Sequence, residues 1–322
     1  MTPRWQPDQP REACGCGRAA GPARYAPRHP LRPRRVIPSE LPELAELQRI
    51  ASEGGAHVQL QVICEAASGE QRLPVSVVTL GNPDPALPAV GFFGGVHGLE
   101  RIGAEVVLAH LASLVSRLSW DDQFHRQLET LRLVFMPLVN PGGLARGTRA
   151  NPQGVDLMRN APVEATDRVP FFVGGQRLSA GLPWYRGPAG AAMQPESRAL
   201  CEVVEQELLS RRFSLAVDCH SGFGLRDRLW FPYAHTARPV PHLAELHALV
   251  SIFDRSHPHH RYVFEPQSRS TWRTATCGTT STCTPARSRA ACSCRSPWRW
   301  ARGCGSRRTL ASCSRVTASS TR

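Results

Sequence analysis

The chain has 322 residues, 41% of them hydrophobic, with a formal net charge of +13. That length suits one large α/β domain or two small ones, and no run of about 18 apolar residues offers a membrane span. The charge excludes a basic nucleic-acid face on the body, because it sits at the ends: residues 1–36 hold eight Arg against Asp8 and Glu12, residues 271–322 hold ten Arg and no acid, and the stretch between is mildly acidic.

Every basic residue counted in that charge is Arg; the chain contains no Lys. Six of its 11 cysteines lie in residues 271–322, at spacings that match no paired zinc or redox motif. The N-terminus shows no apolar leader, so a cytoplasmic location is expected, with no membrane and no nucleic-acid partner.

Residues 1–36 are rich in Pro and Arg and poor in aliphatic side chains. Such a stretch cannot bury enough surface to offset chain entropy, so a disordered extension is expected there. Leu41, Leu44, Leu47 and Ile50 then mark a short helix that Gly54-Gly55 stops. Alternation from His57 to Val62 reads as a half-buried strand, and Leu73–Leu80 as a second, the two forming a hairpin. A buried strand follows over residues 88–93, then a helix after Glu100 and another near 120–129. Residues 131–136 form a further strand, ending in a turn at Asn140-Pro141-Gly142-Gly143. The stretch 144–194 is a long irregular connection, and loops of that length inside a domain are usually functional or disordered. Residues 196–209 read as an amphipathic helix, 213–217 as a buried strand and 229–231 as a short one. A helix near 241–253 and a strand at 261–264 complete the body, residues 37–270.

Two strand ends carry chemistry. Gly94-Gly95-Val96-His97-Gly98-Leu99-Glu100-Arg101 joins a buried strand to a helix, which is where α/β sheets build their sites. A His and a Glu three apart in a Gly-rich turn can address one ion. Zinc accepts both donor types, and a catalytic site takes three protein ligands and keeps one position for water. His220, in Asp218-Cys219-His220-Ser221-Gly222, stands at the end of another buried strand and is the best third ligand. Each signal alone also fits an ordinary strand-end His, or a helix N-terminal Glu favoured by the dipole. His257, His259 and His260 are denser but lie beside Pro258 in a polar loop, and read as surface.

Taken together, His97-x-x-Glu100, Asn140-Pro141-Gly142-Gly143, Gly154-Val155-Asp156-Leu157-Met158-Arg159-Asn160 and Asp218-Cys219-His220-Ser221-Gly222 resemble the zinc carboxypeptidase (funnelin) family over roughly residues 57–269. The resemblance implies an α/β fold with a mixed, mostly parallel sheet flanked by helices. It implies one zinc ion held by His97, Glu100 and His220, with Asp156 hydrogen-bonded to the other nitrogen of His97. It makes Arg146 the oxyanion-stabilising residue and Arg159 the residue that binds the substrate's terminal carboxylate. The family's usual Asn before that Arg is Met158 here, which puts an ordinary peptide C-terminus in question as substrate. The implied substrate is a peptide or an acyl-amino acid. An amide deacylase of the aspartoacylase or succinylglutamate desuccinylase type shares the ligand pattern, and a non-catalytic zinc or peptide binder is the alternative from another class.

The resemblance fails at the end of the chain. The family requires a general-base Glu on a late core strand, yet no Asp or Glu follows Glu265. Residues 271–322 contain one Val, one Leu and no Ile, Phe, Met or Tyr, so no core element is expected from them and the C-terminal part of the core should be missing. We read this tail as translated out of frame. Joining the third base of each codon to the first two of the next permits LTLEMGSWLW over residues 295–304, which resembles the family's missing Thr-Leu-Glu strand. The Glu in that string requires an AG-type codon at Arg299. A single-nucleotide deletion near codon 270 accounts for the change.

Overall fold

Strand and helix periodicities alternate along the body, and their apolar faces must be buried against one another. The computed structural model describes residues 41–167, 172, 174–221, 226–259, 262–270 and 300–304. The expected N-terminal extension and most of the expected out-of-frame tail lie outside these residues.

Helix α1 (Pro42–Glu53) starts with Pro at its first position and buries Leu44, Leu47 and Ile50 on one face. Strands β1 (Val58–Ser68) and β2 (Gln71–Gly81) form the antiparallel hairpin. Strand β3 (Ala89–Gly94) leads to helix α2 (Arg101–Arg117), then α3 (Asp122–Thr130), whose N-cap Asp121 accepts from the Phe124 N–H. Strand β4 (Arg132–Met136) follows, and then a difference from expectation. Residues 141–146 form a short helix, α4 (Pro141–Arg146), where a turn was expected. The Asn140 side chain caps it by accepting from the Gly143 N–H, with Pro at the first helical position. That is a helix-start signature hidden by the two glycines. The described residues between Gly147 and Gln194 are irregular, apart from one bridge among them, between Gln176 and Tyr185. Helix α5 (Pro195–Val204) ends in a π-helical turn over Glu205–Leu209. Strands β5 (Ser214–His220) and β6 (Arg228–Phe231), helix α6 (Leu243–Ser256), strand β7 (Val263–Pro266) and the short helix α7 (Gln267–Ser270) complete the body.

With an eighth strand, β8 (Trp300–Cys304), the strands form one mixed sheet in the order β1-β2-β4-β3-β5-β8-β6-β7. Its centre is parallel, with β3 between β4 and β5. Strand β8 runs parallel to β5 and antiparallel to β6. The sequence led us to expect no core element from this stretch. A ladder requires only backbone N–H and C=O groups, and β5 and β6 would otherwise leave facing edges unpaired. Weak side-chain pattern therefore does not bar a segment from that slot.

Because strand side chains alternate, the sheet feeds two cores. Phe92, Phe135 and Val217 pack with α1, α2 and α3 on one face, while Phe93, Val134, Met136 and Ala216 pack with α5 on the other. Among the described residues no single helix is long and apolar enough to cross a membrane.

One histidine lies inside the first core. His110 of α2 is buried edge-on against Phe92, ring centroids 4.7 Å apart. Burial pushes its pKa down to about 4, with a smaller effect from Arg117. The folded protein thus keeps this ring neutral, whereas the unfolded chain protonates it below its ordinary value of 6.5. Its contribution to stability is complete above that value and is lost as pH falls toward the folded value. About 2 kcal/mol should disappear between pH 7 and pH 5 from this residue. Urea denaturation of wild type and of His110→Leu at both pH values checks this: the variant should show a smaller pH dependence by that amount.

Candidate metal centre

Strand β3 ends at Gly94, and the chain turns through Gly95, whose φ of +64° is left-handed. The turn carries His97, and Glu100 precedes the first residue of α2. Two close approaches assemble the rest. A Cβ on Gly98 would stand 1.9 Å from the Gly143 carbonyl carbon of α4, and one on Gly103 would stand 2.3 Å from the Cys219 oxygen of β5. Only residues lacking Cβ allow such contact. The His97 turn therefore rests on α4, and the first turn of α2 rests on the end of β5 beside His220.

His97, Glu100 and His220 are all buried, and one ligand atom from each lies within 4.8 Å of the others. They form the one such group among the described residues. His97 Nδ1 is 2.9 Å from Glu100 Oε1, and the two imidazole rings stand 4.9 Å apart, nearly perpendicular. The other carboxylate oxygen of Glu100 accepts from the Ser221 N–H at 2.8 Å, which ties the first ligand pair to the strand end bearing the third. Burial pushes the Glu100 carboxyl up, but His97, the field of His220 and the Ser221 N–H outweigh it and hold its pKa at about 2.

Asp156, only 1% exposed, stands behind His97. Its Oδ1 accepts from His97 Nε2 at 3.3 Å and from the Met158 N–H at 3.1 Å. That contact directs Nδ1 of His97 toward Glu100 and His220, as an outer carboxylate does for a metal-bound imidazole. Its Oδ2 accepts from Arg149 Nε and Arg159 Nη1, both at 2.9 Å. Burial pushes the Asp156 carboxyl up, yet His97 and the two guanidinium groups hold it well below the usual carboxylate range.

The arginines differ from expectation in one respect. Arg159 does sit beside the centre, bonded to Asp156 and with its guanidinium 5.7 Å from the Trp184 ring centroid. Arg146 does not. It is exposed at the end of α4 and donates to the Pro152 carbonyl. Gly147, at φ +62°, caps α4 in the left-handed conformation and turns the chain away. The residue delivered to the centre is Arg149, which also lies 3.7 Å from Glu100 Oε1. Met158 packs in the core on the α5 face of the sheet. Two further residues were given no role by the sequence. One is Arg149, marked only by its seven-residue distance from Asp156. The other is Asp218, 1% exposed, with Oδ1 3.0 Å from His220 Nδ1. Its signal was position: residues two apart on a strand share a face. His257 and His259 lie outside the metal-binding group, and His260 lies outside the described residues.

Two imidazoles and an ionised carboxylate are a zinc donor set, and the Asp156 contact at Nε2 orients the His97 ring for it. A tetrahedral ion with bonds of about 2 Å spaces its ligands roughly 3.4 Å apart, so small side-chain movements would close the three on one ion.

Fold and site together define an α/β protein with a His-x-x-Glu…His metal-binding set at the strand ends of a mixed sheet. The chain belongs to the zinc carboxypeptidase family, whose sequence profile matches residues 44–293. It is 26% identical to carboxypeptidase D of Anas platyrhynchos over 186 residues, which cover 55% of this chain and 11% of that protein. It is 26% identical to the carboxypeptidase N catalytic chain of Rattus norvegicus over 206 residues, covering 55% of this chain and 42% of that one. The chain thus spans less than half the length of these relatives. Its fold is similar to that of thrombin-activatable fibrinolysis inhibitor, with a TM-score of 0.60 at 19% identity, covering 74% of this chain and 61% of that one. Carboxypeptidase A from Helicoverpa armigera gives a TM-score of 0.54 at 17% identity, covering 71% and 57%.

The geometry ranks the residues. Asp156→Asn should weaken zinc binding by roughly 10–100-fold, as loss of an outer partner typically does; competition with a chromophoric chelator measures it. Arg149→Ala should lower stability by roughly 1–2 kcal/mol, because buried Asp156 loses one of two cations. Arg146→Ala, a surface change, should stay within about 0.5 kcal/mol of wild type. Equal denaturation midpoints for the two arginine variants would contradict this placement.

Proposed function

We propose that this chain is built as a zinc-dependent hydrolase of the metallocarboxypeptidase kind, acting on a C-terminal peptide or amide bond. The observation that carries the reading is the convergence of His97, Glu100 and His220, with Asp156 locking the His97 ring. Zinc, when bound, would polarise the scissile carbonyl and lower the pKa of a water. The residues of the chain supply the rest. Asp156 keeps the Nδ1 lone pair of His97 aimed into the site. Glu100 stays ionised at neutral pH and needs no proton removed before it acts as a ligand. Arg149 holds a guanidinium beside Glu100, where negative charge developing on a carbonyl oxygen would be stabilised. Arg159 offers a second cation for a substrate carboxylate, a role suited to a planar guanidinium.

We further propose that the chain as written hydrolyses poorly. Strand β8 stands beside β5, yet Trp300-Ala301-Arg302-Gly303-Cys304 contains no carboxylate to take a proton from water. The other reading frame over 295–304 permits one where Arg299 uses an AG-type codon. This absence also supports a second reading, in which the present chain binds zinc or a peptide without turning it over.

Zinc titration and assays on peptides and on acyl-amino acids separate these readings. The 322-residue chain should bind zinc and hydrolyse roughly 10²–10⁴-fold more slowly than a chain with the frame restored after Arg269. Replacing the restored Glu with Gln should abolish the gain and leave zinc binding intact. Hydrolysis of acyl-amino acids alone would select the deacylase. Full peptidase activity in the unmodified chain would refute the frame reading.

A further inference from the structure

Helix α5 carries a carboxylate where its neighbours suggest an apolar residue. Glu196 is 1% exposed, at the second position of the helix after Pro195. The residues that follow it, Ala199, Leu200, Val203 and Val204, pack in the apolar core. Burying a carboxylate is costly unless it is partnered, so its partner is informative. Burial pushes its pKa up, against the helix N-terminus and one side chain. That side chain is Asn151, itself 2% exposed, whose Nδ2 reaches both Glu196 oxygens at 3.3 and 3.4 Å and Gln194 Oε1 at 2.9 Å.

Asn151 organises the turn that supplies the metal centre. Its Oδ1 accepts from the N–H groups of Gln153 and Val155, at 3.1 and 3.0 Å. Its own N–H donates to the Val155 carbonyl, and its carbonyl accepts from Gly154, both at 2.9 Å. Every polar function of Asn151 is thus engaged. Two residues before it stands Arg149, and one residue beyond the turn stands Asp156. The contacts run from Glu196 to Asn151, through the turn to Asp156, and from there to His97.

We infer that Glu196 is a positioning residue for the metal centre: by orienting Asn151 it sets where Asp156 and Arg149 meet His97. This inference rests on the zinc reading above. With Nδ2 of Asn151 anchored, Oδ1 can point only toward the turn, and the amide cannot flip. Without Glu196, Gln194 Oε1 alone holds Nδ2; amide and turn gain alternatives, and Asp156 loses its fixed approach to the His97 ring. Gln at position 196 retains one acceptor. A reciprocal exchange, Asn151→Asp with Glu196→Gln, keeps an acceptor for the Gln153 and Val155 N–H groups and reverses the direction of the buried bond to position 196, while the Gln194 amide turns to donate.

The experiment uses the full 322-residue chain. Zinc affinity is measured by chelator competition, the His97 ring by ¹⁵N shifts in the zinc-loaded protein, and folding by circular dichroism. Glu196→Ala should lose on the order of tenfold in zinc affinity and broaden or move the His97 Nε2 signal. Glu196→Gln should lose less. Asn151→Asp alone, which sets two acidic groups together, should lose affinity, and the reciprocal pair should recover it. If Glu196→Ala does not fold, the single and paired exchanges carry the comparison. A folded Glu196→Ala, or Asn151→Asp, with wild-type affinity and unchanged His97 shifts overturns the inference. A wild-type chain that binds no zinc overturns the metal reading itself, and this inference with it, so the two failures are distinct.

Discussion

The charge on Asp156 is the constraint around which the centre is built. A carboxylate this deeply buried must be fully partnered, and each partner is a functional group: the His97 ring, the Met158 N–H, Arg149 and Arg159. Removing one of several partners leaves part of a buried charge unsatisfied, a class of change that typically costs about 1–3 kcal/mol. The pairing therefore couples stability to site geometry. A chain that folds around Asp156 has, in doing so, oriented the His97 ring and placed two cations beside it.

The sheet's two faces are held to different ends of that arrangement. On one face, α2 packs through Val107, Leu108 and Leu111, and its first turn brings Glu100 against the Ser221 N–H. On the other, α5 packs through Leu200 and Val203 and holds Glu196 against Asn151. The ligand His97 lies at the strand end between them, reached from one side by Glu100 and from the other by Asp156. Neither helix touches an ion directly through its own interior residues. Both fix the approach of the groups that would.

Much of this was legible in the sequence, and the misses have physical causes. His97, Glu100 and His220 could be grouped because each lies at the end of an apolar run that breaks at glycine or serine, a local pattern. The central strands were legible for the same reason: a short continuous apolar run such as Leu133–Met136, followed by a turn, reads as a strand buried on both faces. The choice between Arg146 and Arg149 was not local. Both lie in one short Arg-Gly-Thr-Arg stretch, and which of them faces the site depends on the left-handed cap at Gly147 and on the turn anchored by Asn151. That anchor lies 45 residues away at Glu196, too far for any spacing rule. The helix after Asn140 was missed because glycines lower helix propensity, whereas a well-placed cap and Pro outweigh it here.

Strand β8 shows how fold and chemistry come apart. Its place beside β5 is specified by backbone groups, which Trp300–Cys304 supplies as well as any five residues can. Register and direction follow from the neighbours: parallel to β5 over five pairs, antiparallel to β6 over two. Nothing in that pairing tests which side chain each residue carries. A proton-accepting carboxylate, by contrast, depends on one side chain at one register position, and a backbone ladder cannot substitute for it. The strand order of the sheet therefore says nothing about which side chains Trp300–Cys304 brings to it. The metal-binding set is the opposite case: it depends on the side chains of His97, Glu100 and His220, and on those of Asp156, Asn151 and Glu196 around them.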